Sequence, residues 1–411
     1  MSLLGHFVPS LRAGARKLAD YLVVAVAVAL PWSTSATGIF IALWLLVVLA
    51  TIDYQDLRAQ IRNPVIIATL GLFALGVVGM AWAFAVPLSM RLHGAESYLR
   101  LLAIPLLVVQ FRHSERGHFV LLAFLASCTA LLVVSFVMVA FNLPSPRGHG
   151  IPVKSYIQQS AEFMVCGVAL LYVAAMDLKA NNKKRAFLFA LVGLLFFANI
   201  VYVATSRTTL LTLPLLLLIA AAHGFGKKGF FAALVFVAVL PPLIWFSSPY
   251  LKQRVSDLSQ EAQLAQVENP DEPASPRSDL WRKAVRFIAD APIIGHGTGS
   301  ITGLYKEAAA GKTGIGAQWG RDAHNMTLTI AIQLGFVGAL ALWLMWGAAA
   351  WTFLGTSFVS LVGLIFVVQH VVGSLFNSSL FDFTPGWLYV FAVGTLAGTV
   401  SRERAVNRQR V

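Results

Sequence analysis

Apolar runs long enough to cross a bilayer recur along this 411-residue chain with only short breaks between them. A spanning helix needs about 20 predominantly apolar residues. Inside the hydrocarbon every backbone N–H and C=O must find a partner within the protein, so such runs fold as helices. They lie at 18–33, 36–52, 64–86, 97–111, 117–141, 160–177, 186–204, 208–222, 229–247, 325–350, 354–376 and 385–400. The expectation is an all-α integral membrane protein of about twelve transmembrane helices. Charged residues are only 12% of the chain, against about 25% in a soluble domain, which excludes a water-soluble enzyme.

The basic residues orient the bundle. Arg12, Arg16 and Lys17 precede the first run; Arg58 and Arg62, Arg112 and Arg116, Lys183 to Arg185, Lys227 and Lys228, and the tail from Arg402 to Arg410 follow at alternate crossings. Both termini are therefore expected in the cytoplasm, with the first apolar segment an uncleaved helix. The net charge of +13 reflects topology and affinity for anionic lipid, not nucleic-acid binding. Cys128 and Cys166 both fall within apolar runs, so neither a disulfide framework nor a cysteine metal site is expected.

One polar island interrupts the pattern. The chain divides into residues 1–246, with about nine spans, a long outer loop at 247–325, and 326–411, with about three spans and a short basic tail. Within the island, 250–266 reads as an interfacial helix, Asn269 to Pro276 as a helix-breaking linker, and 277–290 as a second helix. Trp281, Ala284, Val285 and Ile288 make its apolar face.

Several island residues suit anion binding or proton transfer. Arg282 and Arg286 share a helix side, where Asp279, Asp290 and Glu307 would make them an ordinary solvated face. Arg277 opens the helix directly after the linker. Arg207 sits in a turn with almost no polar length, Ala204 to Thr209, and an arginine at membrane depth is costly unless paired or facing water. Two arginines from different elements can grip a diphosphate with their planar forks. His324 stands at the start of the run that closes the island, with Asp322 expected to cap that helix, and is placed to accept a proton. His296 lies among the glycines 295, 297 and 299, which lack the strand and helix of a nucleotide-binding loop and suit close backbone approach instead. The outer-face carboxylates are scattered, so no metal site and no cofactor are expected.

Ser206-Arg207-Thr208, Arg277 to Trp281, Pro292 to Gly297 and His324-Asn325, in that order among a dozen apolar runs, resemble the bacterial O-antigen ligase and polymerase superfamily. The motifs lie in the C-terminal half; the N-terminal half resembles the family in hydropathy alone. The resemblance implies a fold like the type C glycosyltransferases and a metal-independent, inverting transfer of polysaccharide from undecaprenyl diphosphate at the periplasmic face of the inner membrane. It implies that Arg207 and Arg277 bind the donor diphosphate, with Arg282 matching the family arginine as well as Arg277 does. His324 would be the general base. From their own place on or near the outer face, Arg91, Arg100, Arg147 and Lys154 suit either a phosphorylated acceptor or ordinary headgroups, and His296 is a further candidate contact to acceptor or phosphate.

Within that superfamily, a single dominant outer loop and a short tail favour the ligase, which joins O antigen to lipid A-core. The alternatives are an O-antigen polymerase or a protein O-oligosaccharyltransferase of the same superfamily. From another class, a polysaccharide or lipid transporter would place its ionisable groups near the midplane and show inverted repeats; neither is seen in the sequence.

Overall fold

The computed structural model describes residues 3–247, 256 and 275–409. The helix expected over 250–266 and most of the linker before Pro276 fall outside the described residues. Every regular element described is helical. In chain order they are α1 (Leu3–Ala29), α2 (Thr34–Thr51), α3 (Tyr54–Gln60), α4 (Pro64–Val78), α5 (Leu88–Leu99), α6 (Ala103–His113), α7 (Gly117–Ala140), α8 (Tyr156–Lys179), α9 (Lys183–Tyr202), α10 (Arg207–Ser247), α11 (Pro276–Asp290), α12 (Ile301–Ala309), α13 (Met326–Thr352), α14 (Phe358–Ser374) and α15 (Phe383–Gln409). Short polar side chains set many of the starts: Ser33, Asn63, Ser155, Asn325 and Ser357 each accept a first-turn N–H, satisfying donors the helix cannot.

Among the described residues, nine helical stretches are long and apolar enough to cross a membrane. The chain is thus a multi-pass, all-helical membrane protein. Three further apolar runs of the sequence do not form such stretches alone. α1 carries Arg12, Arg16, Lys17 and Asp20 within its length, and α14 is shorter, at 17 residues. The runs at 208–222 and 229–247 join in α10, whose one non-helical residue is Gly226 (φ 60°, ψ −147°). The run at 97–111 belongs to a longer stretch, Leu88–His113, passing through a 3-10 turn at Arg100–Leu102. Hydropathy marks the apolar centre of a helix and misses its polar extensions.

Polar side chains bind the bundle at both ends. At one, the Trp44 indole donates to Gln110 (2.8 Å), Gln110 to Asp20 (2.8 Å) and Ser114 to Asp20 (2.7 Å). At the other, Gln159 of α8 donates to Asn199 of α9 (3.0 Å), and Asn199 to Ser135 of α7 (2.8 Å). Such bonds hold helices together where lipid offers no hydrophobic contrast.

The segment before α13 is fastened to it by main chain. α13 breaks at Gly335 (φ 62°, ψ −156°), and the loop Pro292 to Gly297 takes up the groups this frees. His296 N donates to Ile332 O (2.9 Å) and Gly297 N to Gln333 O (2.8 Å); Phe336 N donates to Pro292 O (2.8 Å) and Val337 N to Ile293 O (3.2 Å). A Cβ at Gly335 would stand 2.3 Å from the Ile293 carbonyl carbon, so only glycine permits this approach. Gly335→Ala should therefore lower thermal stability in detergent by at least about 1–3 kcal/mol. Gly347→Ala, in the same helix with nothing within 4 Å of the added carbon, should leave the melting temperature unchanged or slightly raised.

Candidate functional site

Four helix starts converge on one cavity of about 940 Å³, lined by Tyr156, Arg207, Pro276, Arg277 and His324 among others. Tyr156, Arg207 and Pro276 are the first residues of α8, α10 and α11, and His324 stands two residues before α13. Helix N-termini carry unsatisfied N–H groups and partial positive charge, so the cavity favours an anion before any side chain is counted.

The local sequence delivers each side chain. Residues 204–206 are buried, and the exposed Arg207 follows as α10 begins. Arg277 follows Pro276 in the first turn of α11, where Ser275 and Ser278 form a reciprocal capping box that fixes the entry. His324 has a left-handed backbone (φ 48°), a conformation few non-glycine residues adopt. Its N–H donates to Asp322 Oδ1 (2.6 Å), whose carboxylate also lies 3.4 Å from the ring Nδ1. The expected cap is corrected here: Asn325, not Asp322, accepts the Leu328 N–H (3.1 Å), while its amide donates to Leu375 O (3.0 Å). Asp322 is spent on the histidine.

Arg277 and Arg282 separate. Arg277 lines the cavity; Arg282 does not, and its guanidinium pairs with Asp279 (3.1 Å). The buried face of α11 also differs from the expected one: Leu280, Ala284 and Phe287 face inward with Asp279 and Lys283, whereas Val285 is exposed. The cause is a buried ion pair. Lys283 Nζ lies 2.6 Å from Asp279 Oδ2 and donates to the carbonyls of Gly316 (2.9 Å) and Gln318 (3.1 Å), so a lysine and an aspartate occupy positions that hydropathy assigns to solvent.

Of the further contacts expected, Arg91, Arg100, Lys154 and His296 have their donors engaged inside the protein and Arg147 lies elsewhere; none of the five lines the cavity. Arg91 donates to the carbonyls of Val86 (2.7 Å), Met80 (3.2 Å) and Phe84 (3.1 Å), closing the turn before α5. Lys154 donates to Leu30 O, and desolvation pushes its ammonium below the ordinary lysine range while Glu162 opposes the shift. His296 bonds Phe287 O through Nε2 (2.7 Å), which makes that nitrogen the donor. Arg147 is exposed, in the turn before Gly148.

The structure adds residues that the sequence did not single out. Trp319 lines the cavity with 47% of its surface exposed, and Lys306 Nζ sits 4.6 Å from its ring centroid. A smaller crevice of about 150 Å³ shares Ile157, Ser206, Thr208 and Asn377 with the cavity and reaches Gln369 and Asp382. The Asp382 carboxyl is held above its ordinary range by desolvation and the like charge of Asp322, against the pull of His324 and Arg100. Gln369, Asn377 and Asp382 come from the far end of the chain, so only tertiary structure brings them in. Among the described residues, no three His, Cys, Asp or Glu side chains gather as a metal site.

No curated protein matches the chain. Residues 192–343 match the family model described as O-antigen ligase, a stretch that contains Arg207, Arg277 and His324 together with the Gly335 break. Over those residues the chain is similar to the O-antigen ligase family.

Proposed function

We propose that this protein is an O-antigen ligase of the bacterial inner membrane, transferring polysaccharide from undecaprenyl diphosphate to lipid A-core. Its cavity opens to the periplasm and both termini lie in the cytoplasm. The observation that carries the reading is the meeting of Arg207, Arg277 and His324 in one cavity at four helix starts. Arg207 and Arg277 hold the donor diphosphate, each through charge-assisted bonds. His324 takes the proton of the acceptor hydroxyl; the oxygen attacks the anomeric carbon from the face opposite the diphosphate, and the carbon–oxygen bond to phosphate breaks with inversion. Asp322, beside Nδ1, leaves Nε2 as the accepting nitrogen. The leaving diphosphate departs as an anion already neutralised by arginine, so it needs neither proton nor metal.

A strain deleted for the gene should accumulate lipid-linked O antigen while its lipopolysaccharide stops at the core. A single repeat unit on the core would instead identify a polymerase.

Three measurements test the roles and the orientation. Arg207→Ala or Arg277→Ala should weaken donor binding about tenfold to a hundredfold as well as slow turnover, because bonds to a charged group contribute about 1.5–3 kcal/mol. His324→Ala should slow turnover about 10²–10⁴-fold with donor affinity little changed, and Arg207→Lys should recover only part of the activity. Unchanged donor affinity in both arginine variants would remove the diphosphate clamp. With lipid-linked donor and core acceptor, the purified enzyme should keep its activity in EDTA; a loss restored by magnesium or manganese would demand a metal site. Finally, a cysteine at Ala310, which is exposed, should react with a membrane-impermeant reagent in intact spheroplasts and one at Asn182 should not, against a background kept low by the burial of Cys128 and Cys166. The reverse pattern would invert the orientation.

A further inference from the structure

The segment between α12 and α13 is built to hold one aromatic ring in the cavity. The Lys283 ammonium grips the carbonyls of Gly316 and Gln318, the latter directly before Trp319. Gln318 N closes a turn on Ile315 O (3.0 Å). On the far side, a Cβ at Gly320 would lie 2.9 Å from Asp322 O, so the backbone after the ring is also closely confined. A lysine with only 5% of its side chain exposed, paired with an aspartate at 1%, is an expensive device for a loop. What it fixes in space is Trp319.

The ring is placed for an apolar contact beside charged groups. Trp319 keeps 47% of its surface exposed and shares the cavity with Arg207, Arg277 and His324. Lys306 lies over the ring, 4.6 Å from its centroid, attracted by the negative π-face. Tryptophans at membrane surfaces commonly serve as lipid-facing anchors, but a belt tryptophan faces headgroups and has no reason to line a diphosphate chamber. The ligand chemistry that fits is a pyranose ring, whose face of C–H groups is apolar and whose hydroxyls point outward to polar neighbours such as Gln318.

We propose that Trp319 is the stacking platform for the sugar attached directly to the donor diphosphate, with Lys283 as the positioning residue that holds the platform. This inference rests on the transfer reaction proposed above, since it assigns the sugar next to the diphosphate that Arg207 and Arg277 grip. The cost of ordering the ring is met in the folded protein, so stacking contributes fully to affinity.

The test compares two ligands on the full-length protein in detergent: undecaprenyl diphosphate alone, and undecaprenyl diphosphate carrying a single hexopyranose. Wild type should bind the sugar-bearing lipid more tightly. Trp319→Ala should erase about fivefold to tenfold of that difference and leave binding of the bare diphosphate unchanged. Trp319→Phe should keep most of the preference, and Trp319→Leu, which restores apolar bulk without a π-face, should not. An unaltered preference in Trp319→Ala, or an equal loss for both ligands, would overturn the platform. If Arg207→Ala and Arg277→Ala bind the bare diphosphate as wild type does, the clamp fails instead, and the Trp319 comparison still reads the sugar contact separately. Failure of wild type to bind either lipid would overturn both.

Discussion

The arrangement of the cavity depends on four main-chain hydrogen bonds across the break in α13. A spanning helix interrupted at Gly335 would strand carbonyls and N–H groups in a medium that cannot solvate them. The loop Pro292 to Gly297 supplies the missing partners, and Gln333 adds its side-chain oxygen to Gly299 N (2.9 Å). Because α11 ends just before this loop and α12 begins just after it, both short helices hang from the same clamp. Arg277 and His324 are therefore set relative to one another through the backbone of a membrane helix.

Around that clamp the cations divide into two groups. Arg91, Arg100, Lys154 and Lys283 give hydrogen bonds to backbone carbonyls, with Arg100 reaching Phe381 O (2.9 Å) and Asp382 O (2.5 Å) across the bundle. They act as rivets that tie turns and loops to the helices. Arg207 and Arg277 instead border open volume. Both groups look alike as isolated letters in a sequence; what distinguishes them is whether a carbonyl or a cavity stands at the end of the side chain.

The helical plan was legible because hydropathy is a one-dimensional property. α2 and α7 coincide with their apolar runs to within a few residues. The motifs around Arg207, Arg277 and His324 were also readable, since each sits at a boundary where an apolar run starts or a proline opens a helix. Pairwise facts were not. The family resemblance left the match between Arg277 and Arg282 open; Asp279 separates them by occupying Arg282. The inward face of α11 was misread because Asp279 and Lys283 bury each other, a cancellation that no single-residue scale records. Asn325 displaced Asp322 as helix cap because the chain bends at His324. Trp319 carried no signal at all, as its neighbours in space are Lys306 and the residues of distant helices.

The convergence of α8, α10, α11 and α13 on one chamber has a consequence for how such a site responds to its surroundings. Peptide dipoles have no proton to lose, so acid or alkali cannot switch off their contribution. A preference for anions built this way is indifferent to the acidity around it. Ionic strength is the variable that reaches it, through counterions that shorten the range of every exposed charge.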